Sequence, residues 1–166
     1  MIKTLSVEIK AKPETVYDYI GDYSGHFKEV SPDHLERVIV IKSIRIKDGY
    51  IDNPRIYWYF KQISPVTGKV QKLRARLLRV EPNKRIYYKF LFPYSFVLPR
   101  VENTLEQKGD VTVYTTNLTI GRLVSWLADH SSRTAGMIDL MVNHIQEEMD
   151  NTRKVLEGQS EAADQT

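Results

Sequence analysis

Apolar and polar residues alternate from the start of the chain. Ile2, Leu5, Val7 and Ile9 interleave with Lys3, Ser6, Glu8 and Lys10, imperfect only at Thr4, which predicts a half-buried strand. Pro13-Glu14 then suits a first helical turn, because proline's missing N–H is no loss there and an acid favours the helix dipole. Val16, Tyr17, Tyr19 and Ile20 supply a packing face, and Gly21-Asp22 ends the helix. A second short helix is predicted over Ser24 to Val30, stopped by Ser31-Pro32. From Leu35 to Ile120 the pattern is almost entirely that of strands: Leu35 to Ile46, Arg55 to Ile63, Val70 to Val80, Arg85 to Phe92, Phe96 to Gln107 and Val111 to Ile120. Turn signals such as Lys47-Asp48-Gly49, Pro82-Asn83 and Lys108-Gly109-Asp110 separate them. A slip in alternation at Leu77-Leu78 predicts a bulge. Gly121 to Arg133 shows no clear period.

The period changes to that of a long helix over roughly Thr134 to Glu157. Polar residues such as Asp139, Asn143, Gln146, Glu147, Asp150, Arg153 and Lys154 fill one side. Leu140, Met137, Val155, Met141, Ile145, Ile138, Leu156, Met149 and Val142 fill an arc of roughly 200°, wider than the stripe of an ordinary surface helix. A helix this apolar must be wrapped by a curved surface. Three polar residues interrupt the arc, His144, Glu148 and Asn151, at i, i+4 and i+7, so they share one line along the helix. Burying a histidine and a carboxylate without partners is costly, so the line requires a function or a partner.

These elements predict an α+β domain in which a curved antiparallel sheet of about seven strands grips the C-terminal helix, with two short helices after the first strand. One domain is expected over 1–157, and the small polar tail 158–166 is expected to be disordered. One helix rarely fills such a groove, so a cavity between sheet and helix is implied. Alternation turns only about half of the strand aromatics inward; the expected lining is Tyr57, Tyr59, Tyr87, Phe90, Tyr114 and Trp126, with Met137 and Met141 from the helix.

Composition narrows the classes. The 166 residues carry 24 basic and 21 acidic side chains, a net charge of +3, too mild to argue for nucleic acid. The run Lys69, Lys72, Arg74, Arg76 and Arg79 alternates with apolar residues and reads as the solvated face of a strand. No cysteine is present, which removes disulfides and thiol chemistry. The opening MIKTLSVEIK lacks the apolar core of a signal peptide, and no run approaches a membrane span, so a cytoplasmic protein with neither a membrane span nor a nucleic-acid partner is expected. Oligomeric state is left open.

The stretch 1–157 resembles the SRPBCC superfamily, the helix-grip fold of START lipid-transfer domains, polyketide cyclases and aromatases, and birch-pollen-allergen-like carriers. The opening IKAKPETVYDYIGDY and the closing HIQEEMDNTRKVLE carry the likeness. Membership implies a binder of lipids, polyketides or aromatic compounds, and a fold alone fixes none of these. A narrower likeness is to the zinc-dependent diacetylphloroglucinol and phloretin hydrolases. Their last helix carries His-x-x-x-Glu, matched here by His144 and Glu148, and their early histidine is matched by His34 in SPDHLE. Their strand glutamate falls in or near RIYWYFKQI, where this chain has Lys61 and Gln62. The resemblance thus implies His34, His144 and Glu148 as zinc ligands with one ligand of four missing, while Asn151, one turn on, is placed to orient Glu148.

A plainer reading stands beside it: Glu148 pairs with an arginine of the sheet such as Arg74 or Arg100, and His144 bonds a backbone carbonyl. His26 and His130 read as surface residues. Three functions therefore stand open: a carrier that binds a small hydrophobic, aromatic or polyketide-like ligand without turnover; a zinc-dependent hydrolase or lyase of acyl-phenols; and a metal-free cyclase or aromatase using cavity Tyr or His as acid and base. Binding is common to all three.

Overall fold

A computed structural model describes residues 1–21 and 26–163, with side chains to 158. Strand β1 (Ile2–Ile9) leads to α1 (Pro13–Gly21) and the single turn α2 (Phe27–Val30). Then come β2 (His34–Ser43), the small hairpin β3 (Ile46–Lys47) and β4 (Tyr50–Asp52), β5 (Arg55–Ile63), β6 (Val70–Glu81), β7 (Arg85–Phe90), β8 (Arg100–Lys108) and β9 (Val111–Thr119). Helices α3 (Arg122–His130) and α4 (Ser132–Ala163) close the chain.

All pairings are antiparallel, and the long strands lie in the order β1-β9-β8-β7-β6-β5-β2. Six of them follow one another as a meander, and β1 closes on β9 with Ile2 opposite Thr119 and Ile9 opposite Thr112. The β3–β4 hairpin, which the continuous Val/Ile pattern to Ile46 concealed, pairs with β6 at Val80 and Arg79, beyond the end of β5. The predicted bulge on β6 lies between Leu77 and Arg79.

One face of the sheet carries the core. Ile56, Trp58 and Phe60 of β5 are buried beside Leu73, Ala75 and Leu77 of β6, and Val101 and Leu105 of β8 beside Tyr114 and Leu118 of β9. Helix α4 lies against this face through Ile138, Met149, Thr152 and Leu156, all at most 4% exposed. Its other apolar positions are only half-buried, and Leu140 is 50% exposed, so the buried arc is narrower than the pattern implied. Asn151 Nδ2 donates to the Val30 carbonyl at 2.9 Å and ties α2 to α4.

Four expectations need correction. The aperiodic stretch 121–133 contains α3, whose short apolar stripe is too brief to show a period; Val124 is its buried contact. The strand predicted from Phe96 begins at Arg100, preceded by a 3-10 turn over Tyr94–Phe96, because Pro99 has no N–H for the ladder. The second helix is one turn, and positions 24 and 25 of its expected span lie outside the described residues. Finally, α4 continues past Glu157 into the expected disordered tail as far as Ala163. Gly158 costs a helix only about 1 kcal/mol, and the Glu161-Ala162-Ala163 that follow are good helix formers.

Gly121, the N-cap of α3, donates its N–H to the Val97 carbonyl at 3.0 Å. A Cβ built there runs into the Phe96 carbonyl oxygen, a backbone atom that cannot swing aside. Gly121→Ala is expected to destabilise the protein by about 1–3 kcal/mol, the usual range for overpacking, measured as a shift of the urea midpoint at constant slope.

Candidate functional site

The site begins where α2 hands the chain to β2. Pro32 disfavours helical geometry at Ser31, and the turn that follows is closed by His34 N–H donating to the Ser31 carbonyl at 3.1 Å and Asp33 N–H to Ser31 Oγ at 3.2 Å. His34 therefore enters the sheet as the first residue of β2, opposite Gln62. Its ring lies flat on Phe27, with centroids 3.9 Å apart and planes within 5°. His34 Nδ1 is 2.6 Å from the Phe27 carbonyl oxygen. A carbonyl can only accept, so Nδ1 carries the hydrogen and Nε2 is aimed the other way, into the fold.

What Nε2 meets is Glu148. Helix α4 brings its Oε1 to 2.9 Å from His34 Nε2 and, one turn back, to 2.9 Å from His144 Nε2. The two imidazoles stand edge to face, 6.0 Å between centroids. Donor atoms of His34, His144 and Glu148 all lie within 4.8 Å of one another. The contact from His144 is close but not aligned as a hydrogen bond, and Nε2 is buried without an aligned partner among the described residues. One carboxylate oxygen thus sits between two imidazole nitrogens, and such an arrangement needs a shared proton or a shared cation. Burial pushes the Glu148 carboxyl up, but the close contacts of His144 and His34 and their charges outweigh it and bring it from its ordinary 4.5 to about 2. The His144 imidazole is raised by the nearby Glu148 carboxylate against the opposing effect of burial, with Asp33 and Glu147 adding to the rise.

These three groups form part of the wall of a cavity of about 430 Å³ between sheet and α4. Most of the wall is apolar: Phe27, Trp58, Phe60, Leu73, Phe90, Val101 and Leu118, with Met137, Met141, Ile145 and Met149 from the helix. Tyr88 and Tyr114 also line it. Burial pushes the Tyr114 hydroxyl up to about 12 and the Tyr88 hydroxyl up as well, so both remain neutral donors at physiological pH. Tyr94 donates to Gln71 Oε1 at 2.6 Å at another part of the wall.

Of the expected lining residues, Phe90, Tyr114, Met137 and Met141 border the cavity. Tyr57, Tyr59, Tyr87 and Trp126 do not. Tyr57 and Tyr59 alternate with the buried Trp58 and Phe60 and face outward, Tyr87 is half-buried next to the inward Tyr88, and Trp126 on α3 is 56% exposed and lies tilted against the ring of His130. Their inward neighbours Trp58, Phe60 and Tyr88 were the residues to choose. The signal was present in β5: Arg55, Tyr57, Tyr59 and Lys61 carry the charges and hydroxyls, whereas Ile56, Trp58 and Phe60 do not. Among the polar residues, Asn151 bonds Val30 and not Glu148, so the orienting role expected for it is not seen. Arg74 is exposed, and Glu148 meets the two histidines in place of Arg74 or Arg100. His26, read as a surface residue, borders the cavity, stacked on Tyr19 at 4.4 Å. Lys72 and Arg74 are exposed as the strand pattern predicts.

No family model and no curated protein matches the chain by sequence. Solved structures do match by shape. The di-domain aromatase/cyclase StfQ of steffimycin biosynthesis superposes with a TM-score of 0.67 at 11% identity, over 96% of this chain and 52% of StfQ. The fold is the helix grip. A crystal structure of TTHA0849 from Thermus thermophilus matches with a TM-score of 0.66 at 12% identity over 96% of this chain and 99% of that one. The Zhui aromatase/cyclase of a Streptomyces species matches with 0.61 at 13% identity over 97% and 93%. The chain spans about half the length of StfQ, and identities this low carry the helix-grip architecture and not an activity. No helix among the described residues is long and apolar enough to cross a membrane.

A carboxyl with a depressed folded pKa takes its proton more readily in the unfolded chain. The Glu148 contribution is therefore complete above pH 4.5 and lost as the pH falls toward 2. In chelator-treated protein, unfolding free energy should drop across that window by about 2–3 kcal/mol more than in Glu148→Gln, read from urea titrations at stepped pH.

Proposed function

We propose that the protein binds a small, mostly apolar, aromatic or polyketide-like ligand between the sheet and α4. The cavity carries this reading: about 430 Å³, walled largely by aromatic, aliphatic and methionine side chains, with polar groups that include His34, His144 and Glu148 and the hydroxyls of Tyr88 and Tyr114. That size falls within the range of about 300–1,000 Å³ usual for small-molecule sites, which pair an apolar wall with a few placed polar groups. The fold shared with StfQ and Zhui, described as aromatase/cyclases, supports the same ligand class. Tyr88 and Tyr114, held neutral, suit donation to a carbonyl, enol or phenol oxygen of such a ligand.

A second reading rests on one observation, the unaligned approach of His144 Nε2 to a carboxylate that His34 already contacts. Two imidazole nitrogens and a carboxylate oxygen are a donor set suited to zinc, and a ligand histidine commonly gives its other N–H to a backbone carbonyl, as His34 does to Phe27. The position opposite His34 is Gln62, a neutral amide on the cavity wall, where a carboxylate as fourth ligand would complete the set. The residues therefore fit a three-ligand site with an open position. A zinc held there would supply Lewis acidity toward a ligand oxygen. His34 and His144 would hold it through Nε2 and Glu148 through a carboxylate oxygen, with Phe27 fixing the His34 tautomer.

Two measurements test these readings. Titration with neutral 2-naphthol should give saturable heat and quench Trp58, and Met141→Trp, which fills the cavity from α4, should weaken binding by about tenfold or more, since a filled pocket loses most of its contact surface. Absence of saturable binding, or a Met141→Trp variant that binds unchanged, would remove the cavity as the site. Elemental mass spectrometry of protein purified without chelator should show near-stoichiometric zinc lost in His144→Ala if the metal reading holds; metal-free protein with unchanged naphthol binding would leave the cluster as a proton-sharing group.

A further inference from the structure

We infer that the open edge of β2 is an interface and that its partner is a second copy of this chain, paired antiparallel through β2 about a two-fold axis at Ile39. Among the described residues β2 has one neighbour in the sheet, β5, so its other edge is open. The ladder fixes which groups stand on that edge. Ile63 N–H donates toward β2, to the Asp33 carbonyl, and Ser64 N–H donates the other way, to the Lys69 carbonyl beside β6. Backbone groups alternate in direction along a strand, so Tyr57 and Tyr59 turn theirs to β2, where they meet Val40 and Val38. Ile39 and Ile41 therefore present their N–H and C=O groups outward.

Such an edge is a template for another strand, and proteins usually blunt it with proline, charge or a bulge. In β2 the irregularities lie at the ends, between His34 and Glu36 and between Ile41 and Ser43. Between them Val38-Ile39-Val40-Ile41 is β-branched throughout, with neither proline nor charge, and Val38 and Ile41 are 45% and 61% exposed. The charges that flank this run have opposite signs. Glu36 and Lys42 are both exposed and equally far from Ile39 along the chain. Glu36 lies opposite Lys61, and Lys42 Nζ is 5.5 Å from the Tyr57 ring centroid, so both stand on the outer face of the sheet. Two β2 strands centred on Ile39 set each Glu36 opposite Lys42 of the second copy and each Val38 opposite Val40. Opposite charges directly across a ladder stabilise it and like charges destabilise it. Moving the centre by one residue to Val40 sets Lys42 against Val38 and loses both ion pairs, so charge selects the register. The interface uses the same surface on both copies and closes at two. It leaves the Arg37 guanidinium on the cavity side, among the rings of Phe27, Trp58 and Phe60. The span from Glu36 to Lys42 is short against the ~20–30 residues a side of a standard interface, so the dimer is a weak one.

Sedimentation velocity of the full chain at about 5 to 500 μM covers the range of a weak dimer. The weight-average mass of wild type should rise with concentration from 19.3 kDa toward twice that value. Glu36→Lys sets lysine against lysine at both ends of the interface, and Lys42→Glu sets glutamate against glutamate, so each should raise the dimer dissociation constant by about tenfold or more. An equimolar mixture of the two variants restores opposite charges at both ends and should dimerise as wild type does, as should the double variant. Both positions are exposed, and recovery in the mixture shows that each single variant is folded. A wild-type mass that stays at 19.3 kDa throughout would overturn the inference. So would a dimer that both single variants leave unchanged, or one that both weaken and the mixture does not restore.

Discussion

A carboxylate can stand in the wall of an apolar cavity only if something nearby compensates its charge, and in this protein two imidazoles do so. Glu148 is held between His34 and His144, each 2.9 Å away. The cost of removing an ion from water is several kcal/mol, so a close, hydrogen-bonded environment is a condition of its burial. The contact also joins parts of the molecule far apart in sequence. His34 belongs to the start of the sheet, and Glu148 to the helix that the sheet grips. Phe27 completes the link by clamping the His34 ring and accepting its other N–H.

The cavity follows from the same geometry. A curved sheet presents Trp58, Phe60, Leu73 and Val101 on its concave side, and α4 covers only part of that surface. Thr116 on β9, small and buried, forms part of the wall. The remainder of the wall is mostly apolar, and the His34–Glu148–His144 cluster borders it.

Much of this was legible along the chain. Period-two alternation located β1, β5, β6 and β9 almost residue for residue, because each packs one face on the core and the other against water. The i, i+4 line on the last helix identified His144 and Glu148 as residues needing partners. Legibility failed where the periodicity is short or where a choice of face was required. α3 has too few turns to display a stripe, and β5 offers aromatics on both faces. Tyr57 and Tyr59 look as suitable for a cavity wall as Trp58 and Phe60 until the register is known.

By itself, then, the order of residues determined most of the long elements, the α+β class and the polar line on α4, since these depend on local periodicity and on the cost of burying polar groups. Only the tertiary structure decided which partner meets that line. Residues 34 and 148 lie 114 positions apart, and no spacing rule relates them; the closure of β1 on β9 and the crossing of α4 over the sheet bring them within hydrogen-bonding reach. The same holds for Arg37. In the sequence it is one charge in an alternating strand, and its cage of three rings exists because α2 and β5, separated by more than twenty residues, converge on one face of β2.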